Sequence, residues 1–467
     1  MHGNDEKRGP SMIFTSSLPF SKVFFAATNL PATSIVMLTR LVVASISLLH
    51  SAADASSAIR TDPRHRAQIV RFLARYRWSA NWETLHQVAD LLLQRVMAEK
   101  GVWVYILDQT YHTTSGPHAQ NAFSRGNKKQ RPKKGNCKQK KKTRHKCHCF
   151  MYGLLISPET GTRIPSVRSY YTEEYCKQQA AKLKKGQQAP SYRTQPEIAA
   201  AMIVELCVPA KAQVLVLGDT AFEADTIRAA CQQRGFDWIT PANPERVLTG
   251  SKPRRKLTDK SNDLSSETMT RIELCPDQTE WCSHLRGSKS KAQRKTYSRL
   301  YWAHAETLDV HNVGRVAVVF STTKEPQAGQ KVNVQKILLT NRTDWNVYQI
   351  VSAYSVRWQI ELFFKEMKSF LGLSSYRMRD FKEVEGWVQA CTIAFVYLEW
   401  YRLEVGEQKQ LKEWWRLRVS GLIRLVRQDI EEADLRHIAQ QMETAAGRAW
   451  LRERFAKALP AELRRAS

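Results

Sequence analysis

The chain is short of acid. Its 467 residues hold 44 Asp and Glu against 72 Lys and Arg, a formal net charge of +28 at pH 7, and the pI is near 9.8. Such a balance predicts polyanion binding that weakens steeply with salt. A basic protein with no nucleic-acid role is the plain alternative, and clustering of the lysines argues against it. Cysteine gives no framework either: nine residues, an odd number in a long chain, fit a reducing cytosol better than disulfides. No P-loop, dinucleotide-binding glycine pattern or internal repeat is present. No apolar run is clean enough to span a bilayer. Met12 to Leu30 is broken by Pro19 and Lys22 with no clear cleavage site after it, and Ser34 to His50 carries Arg40 and is too short. The latter reads as a buried amphipathic helix, and no membrane partner is expected.

What is there begins with 43% hydrophobic content, enough for a sizeable core and two to four structural units. The most informative stretch is Tyr354-Ser-Val-Arg357-Trp-Gln-Ile-Glu361-Leu-Phe-Phe-Lys-Glu-Met-Lys368. Tyr354, Arg357, Glu361 and Lys368 stand at i, i+3, i+7 and i+14. On one helix, at about 100° per residue, they fall within an arc of roughly 60°. Ile360, Phe363, Phe364 and Met367 supply a buried side. A carboxylate flanked by cations suits the holding of a metal ion beside phosphates, although mixed charges on a helix are more often a solvated face.

Two acids outside the stripe favour the site. Asp108 ends the run Val102-Trp-Val-Tyr-Ile-Leu107, which reads as a buried strand. Asp219 follows Gln213-Val-Leu-Val-Leu217-Gly218, another such strand, and Ala221 to Arg234 reads as the next helix, closed by Gly235. Each aspartate alone could be a turn or cap residue. Two strand-end aspartates and a helix glutamate together are the parts of a two-metal phosphoryl-transfer site, whose oxygen ligands suit two Mg²⁺ or Mn²⁺ ions.

The pattern Y-x2-R-x3-E-x6-K, carried by Tyr354, Arg357, Glu361 and Lys368, resembles the motif of DDE transposases encoded by bacterial insertion sequences, in their IS-four-like group. Asp108-Gln-Thr110 and Leu217-Gly-Asp219-Thr-Ala-Phe222 resemble the two aspartate segments of that family, and the likeness covers about residues 100–400. It implies an α/β protein with an RNase H-like catalytic core and an inserted, mainly β subdomain, flanked by helical N-terminal and C-terminal regions. It implies catalytic, metal-holding roles for Asp108, Asp219 and Glu361, and phosphate-orienting roles for Tyr354, Arg357 and Lys368. It also implies DNA partners (the element's terminal inverted repeats and a target), pairing of two protomers through the tail, and a cytoplasmic, nucleoid-associated place in a bacterium. Two departures stand out. Glu223 occupies a place where the family often has aspartate. Lys336 occupies one where some relatives carry a tryptophan that stacks on a flipped base.

The organisation follows. Residues 1–100 read as a helical region, with Asp62-Pro63 opening a helix to about Tyr76 and Asn81 capping another to about Glu99. Arg64, Arg66, Arg71 and Arg75 there fit DNA binding, or a plain helical bundle on the core. Residues 101–240 and 345–405 form the core, 241–344 the β-rich insertion, and 406–467 a helical tail. Strands are expected at Thr268–Leu274, Lys295–Glu306, Val313–Ser321 and Lys336–Thr340. Arg125–Lys146 has twelve Lys or Arg among 22 residues and no acid. It reads as a flexible loop emerging beside Asp108, where Lys133, Lys134, Lys140, Lys141 and Lys142 could clamp phosphates. Cys137, His145, Cys147, His148 and Cys149 decorate it, spaced too tightly for an ordinary zinc site. The expected activity is metal-dependent DNA cleavage and strand transfer. A nuclease without strand transfer is the nearest alternative, and a non-catalytic DNA-binding descendant is the one from another class.

Overall fold

The computed structural model describes residues 18–19, 21–47, 55, 64–75, 77–97, 100–114, 118–126, 144–183, 189–250, 253–274, 299–408 and 418–458. Lys133, Lys134, Lys140, Lys141, Lys142, Cys137, Asp62 and Pro63 lie outside them, as do Trp281, Trp414 and Trp415.

Residues 103–107 are all buried, as a run of apolar residues flanked on both faces requires. They open strand β1 (Val102–Thr114), which does not end at Asp108 but runs six residues further. It is followed by β2 (Phe123–Gly126), β3 (Arg144–Ile156), β4 (Arg163–Ser169), β5 (Gln213–Leu217), β6 (Asp237–Pro241), β7 (Thr270–Leu274), β8 (Arg299–Val310), β9 (Gly314–Thr322) and β10 (Lys336–Thr340). All ten join one sheet, in the order β2-β3-β1-β5-β6-β10-β9-β8-β7, with β4 also paired to β3. β4, β3 and β1 run antiparallel, while β5 and β6 continue parallel to β1. Three antiparallel strands continued by two parallel ones make an RNase H-like core. The strands of 241–344 extend that same sheet, through β10 paired antiparallel to β6.

Helices α1 (Ser21–Ala26), α2 (Ala32–Ile46), α3 (Arg66–Arg75) and α4 (Glu83–Arg95) precede the sheet. Asn81 does not cap α4. It sits at positive φ in a 3-10 turn, and Trp82, also left-handed, takes the cap position. α5 (Glu173–Ala180), α6 (Gln195–Val204) and α7 (Asp225–Arg234) lie between core strands, and α8 (Leu257–Asn262) follows β6. The helix after Asp219 thus starts at Asp225, because Thr220–Phe222 form a separate 3-10 turn.

The remaining helices are α9 (Val347–Ser355), α10 (Trp358–Phe370), α11 (Phe381–Gln408), α12 (Val419–Met442) and α13 (Ala445–Ala458). α11 is buried nearly all round over its middle, as a helix without a polar face must be. It packs against α2, α3, α4 and α12. Gly386 permits the closest approach: a Cβ there would lie 2.7 Å from the Leu73 carbonyl oxygen of α3. α10 is held from both sides. Tyr152 of β3 meets Phe363 and Phe364 at ring-centroid distances of 5.5 and 5.4 Å, and Phe395 of α11 meets Phe363 edge-on at 4.8 Å. Arg163 of β4 adds ion pairs to Glu366 of α10 at 2.7 Å and to Glu399 of α11 at 2.9 Å. Burying these charges carries a large desolvation penalty, so the pairs fix geometry more surely than they add stability.

Candidate active site

In the parallel ladder Ile106 of β1 stands opposite Leu217 of β5. Two residues on from each, Asp108 and Asp219 therefore emerge at the same level of neighbouring strands. The Asp108 carboxylate accepts a bond from the Gln109 amide at 2.8 Å. Asp219 caps the 3-10 turn, accepting from the Ala221 amide at 2.8 Å.

Glu361 arrives on α10, but the four-residue stripe is not one helix. Two turn residues, Val356 and Arg357, interrupt it at an elbow between the helices, so Tyr354 lies in the last turn of α9, Arg357 caps α10, and only Glu361 and Lys368 lie within α10. Both elbow residues keep right-handed helical dihedrals, and neither is glycine or proline. Sequence periodicity therefore carries no sign of the break.

Arg357 is the hub. One guanidinium arm lies 2.6 Å from a Glu361 carboxylate oxygen and the other 3.5 Å from Asp108. Its pKa is raised: burial works against the charge, but Tyr354, Glu361 and Asp108 outweigh it. Asp108 is pushed up to about 6, first by burial and then by the negative charge of Asp219. The Gln109 amide and Arg357 pull it back, while Glu361 adds to the rise. Asp108 thus feels both other acids, which places the three carboxylates in one electrostatic neighbourhood. Among the described residues, no three His, Cys, Asp or Glu side chains close around a single ion as they stand.

The other cations and the tyrosine surround this cluster. Lys368 lies on the exposed side of α10, near enough to Asp108 to feel its charge; desolvation lowers its pKa and the Asp108 charge resists. Tyr354 is buried, and its hydroxyl donates to the Gly218 carbonyl at 3.4 Å, so the ring braces the turn before Asp219. Burial raises its pKa well above the ordinary value.

The structure adds neighbours to which the sequence assigned no part in the site, Lys336 and Glu223 having been noticed only as departures from the family pattern. The ammonium of Lys336, at the start of β10, sits 5.1 Å from the centre of the Tyr354 ring. Burial lowers its pKa, and so does Arg357, against the pull of Glu361 and Asp219. Lys336, Arg299, Arg357, Tyr301 and Trp358 line a pocket of about 320 Å³ beside the cluster. Glu223, four residues after Asp219, bonds the Asn243 amide at 2.8 Å and pairs with Arg246, bracing the exit of β6. On β1, Thr110 and His112 follow Asp108 on the same strand face. Both are buried, and neither His112 ring nitrogen has a partner among the described residues. Burial, then the charges of Lys368 and His148, hold the His112 pKa well down.

The basic loop springs from elsewhere than expected. β2 and β3 pair up to Gly126 and Arg144, level with the Thr114 end of β1. That base is six residues past Asp108, about 20 Å at the rise of a strand. Near it, Cys147, His148 and Cys149 point alternately to the two faces of β3, so they cannot share one ion. His148 instead bonds the Tyr376 hydroxyl and the Gln120 carbonyl, each at 2.9 Å. Among the described residues, no helix is long and apolar enough to cross a membrane.

Comparison with known families gives two overlapping matches. Residues 195–397 match a Transposase DDE domain, which takes in Asp219 and Glu361. Residues 41–267 match a DDE superfamily endonuclease, which takes in Asp108 and Asp219. No curated protein matches the chain. The two matches span 41–397 between them, include all three acids, and take in the RNase H-like core that carries them: the chain belongs to the DDE superfamily of transposases and endonucleases.

Proposed function

We propose that the protein is a metal-dependent transposase that cuts DNA at the ends of its own element and joins the freed 3′ ends to target DNA. The observation that carries this is that Asp108 and Asp219 leave neighbouring parallel strands at one level while Arg357 joins Asp108 to Glu361, in a superfamily of transposases and endonucleases. The donors are carboxylate oxygens with no cysteine or histidine among them, which fits Mg²⁺ or Mn²⁺. Asp108, Asp219 and Glu361 would hold two such ions. When bound, these supply activation of the attacking oxygen and stabilisation of the leaving one.

The chain's own groups do the rest. Arg357 can grip a phosphate with two hydrogen bonds, whereas Lys368 offers a single point charge. Tyr354 fixes the Gly218 turn and with it the direction of Asp219. Lys133, Lys134, Lys140, Lys141 and Lys142 hold backbone phosphates without reading sequence. Water attacks first and cuts the strand, and the 3′ hydroxyl so released attacks the target. Two protomers, paired through the C-terminal helices, bring two ends together in the bacterial cytoplasm.

Incubation of the purified protein with Mg²⁺ and the DNA flanking its own gene tests this, with nicks and joints mapped by sequencing. Nicks at the element ends followed by joints are expected, and Asp219→Asn should abolish both. Nicks that are never followed by joints would leave a nuclease. Binding without nicks under any divalent ion would leave a DNA-binding protein.

A further inference from the structure

We propose that Arg357 is a switch between two anionic partners, and that it couples metal binding to DNA binding. Without DNA its guanidinium neutralises Asp108 and Glu361; with DNA it turns to a backbone phosphate and releases both carboxylates to divalent ions. The inference rests on the metal-site reading above and adds an order of events to it.

The geometry motivates it. A cation already bridges the two acids, at 2.6 Å from Glu361 and 3.5 Å from Asp108. A guanidinium and a metal ion want the same carboxylate lone pairs, so each excludes the other. Arg357 and Asp108 are mostly buried, with side chains 15% and 14% exposed, so water screens that arm of the bridge little, while Glu361, 38% exposed, keeps the other arm partly in solvent. The same planar fork fits a phosphate as well as a carboxylate. DNA therefore offers the arginine an equivalent partner without asking it to go unpaired. Its position at the α9–α10 elbow keeps the exchange local: α10 itself is clamped by Tyr152, Phe395 and Arg163 and need not move. Lys336 provides the contrast. It is another cation of the same cluster, yet it rests over the Tyr354 ring instead of bridging acids.

The consequence is reciprocal. If DNA strengthens metal binding by some factor, metal strengthens DNA binding by the same factor. Free protein stays poorly loaded, and cutting is confined to protein already seated on DNA.

The test is Mn²⁺ binding to the full-length protein, followed by the electron paramagnetic resonance of free Mn²⁺ at fixed ionic strength. It is run without DNA and then with a duplex carrying an already cut end. In the parent, DNA should tighten Mn²⁺ binding by on the order of tenfold, within the usual span of coupled sites. Arg357→Gln should bind Mn²⁺ about as tightly without DNA as the parent does with it, and gain far less from DNA. Lys336→Gln removes a charge that Glu361 and Asp219 also feel, so it should tighten Mn²⁺ binding somewhat without DNA, but clearly less than Arg357→Gln and with the gain from DNA kept. Asp108→Asn should weaken Mn²⁺ binding throughout. If Arg357→Gln matches the parent without DNA while Asp108→Asn is weakened, the switch is refuted and the metal site stands. If Lys336→Gln tightens binding as much as Arg357→Gln, a general field is at work, and the switch is again refuted. If Asp108→Asn binds Mn²⁺ like the parent, the metal-site reading itself fails. Should Arg357→Gln not fold, Arg357→Lys serves: one ammonium cannot span both acids, so binding should still tighten, and parent-like binding refutes the switch.

Discussion

Asp108→Asn should make the metal-free protein more stable while removing its chemistry. Burial, and next the charge of Asp219, push the Asp108 carboxyl from 3.8 up to about 6. That displacement, roughly two pH units at about 1.4 kcal/mol each, means the ionised group costs the fold about 3 kcal/mol at pH 8. The side chain is only 14% exposed, so solvent screening removes little of it. The sign follows from proton counts. Between about pH 4 and pH 6 the folded protein holds a proton on Asp108 that the unfolded chain has released, so stability falls as pH rises through that window and stays lower above it. Asparagine has no charge to bury and escapes the loss. Denaturant melts with a chelator present, run at pH 8 and stepwise toward pH 4, should show the variant more stable by about 2–3 kcal/mol at pH 8, with the gap closing as the pH falls. Added Mn²⁺ should stabilise the parent and not the variant. A variant no more stable than the parent at pH 8, or a gap indifferent to pH, would refute the reasoning.

Three further expectations concern other links. In single-turnover cleavage on a pre-bound DNA end, Arg357→Lys should slow cutting markedly at unchanged net charge, while Lys368→Arg should be mild; equal rates for Arg357→Lys and parent would refute the two-bond grip on phosphate. Replacing six lysines of Arg125–Lys146 by glutamine should weaken specific and random duplexes alike, and lower the slope of log affinity against log salt by up to about 0.9 for each phosphate no longer neutralised; weakening at one sequence only would contradict this. Gly153→Ala should destabilise by about 1–3 kcal/mol or more, since its Cβ would fall 1.9 Å from the Tyr105 hydroxyl; a parent-like melting curve would show that Tyr105 moves freely.

Much of the core was legible because its strands are uniformly apolar. Gln213–Leu217 and Lys336–Thr340 read from the sequence with the bounds they have in the fold. β1 was cut short because its second half changes character. After Leu107 it alternates, and the residues it buries there are Thr110 and His112, whose polarity hides a strand. The three acids were legible as residue types after strands and within a cationic helix. Their electrostatic link was not, because it arises from the parallel register of β1 with β5 and from the elbow at Arg357. Lys336 was noticed only as a departure from the tryptophan of some relatives. What brings it to the site is the sheet order, with β10 next to β6, and no local pattern encodes that. Glu223, likewise, draws its partner Arg246 from across a turn.

The pairing of β6 with β10 has one more consequence. Pro241 stands opposite Leu338, and the Ala242 amide bonds the Ile337 carbonyl at 2.9 Å. The chain therefore leaves the core and returns to it at the same spot, as it would around a tight hairpin. Everything between could be replaced by a turn of a few residues without stretching either strand. The segment between Ala242 and Lys336 therefore has the topology of an insertion into that turn. A deletion made on this plan would still bare the edge of β10, Ile337-Leu-Leu-Thr340, which β9 now covers. Such an apolar edge invites other chains to pair with it. The shortened enzyme should therefore fold and yet precipitate, until a lysine or proline is placed along that edge.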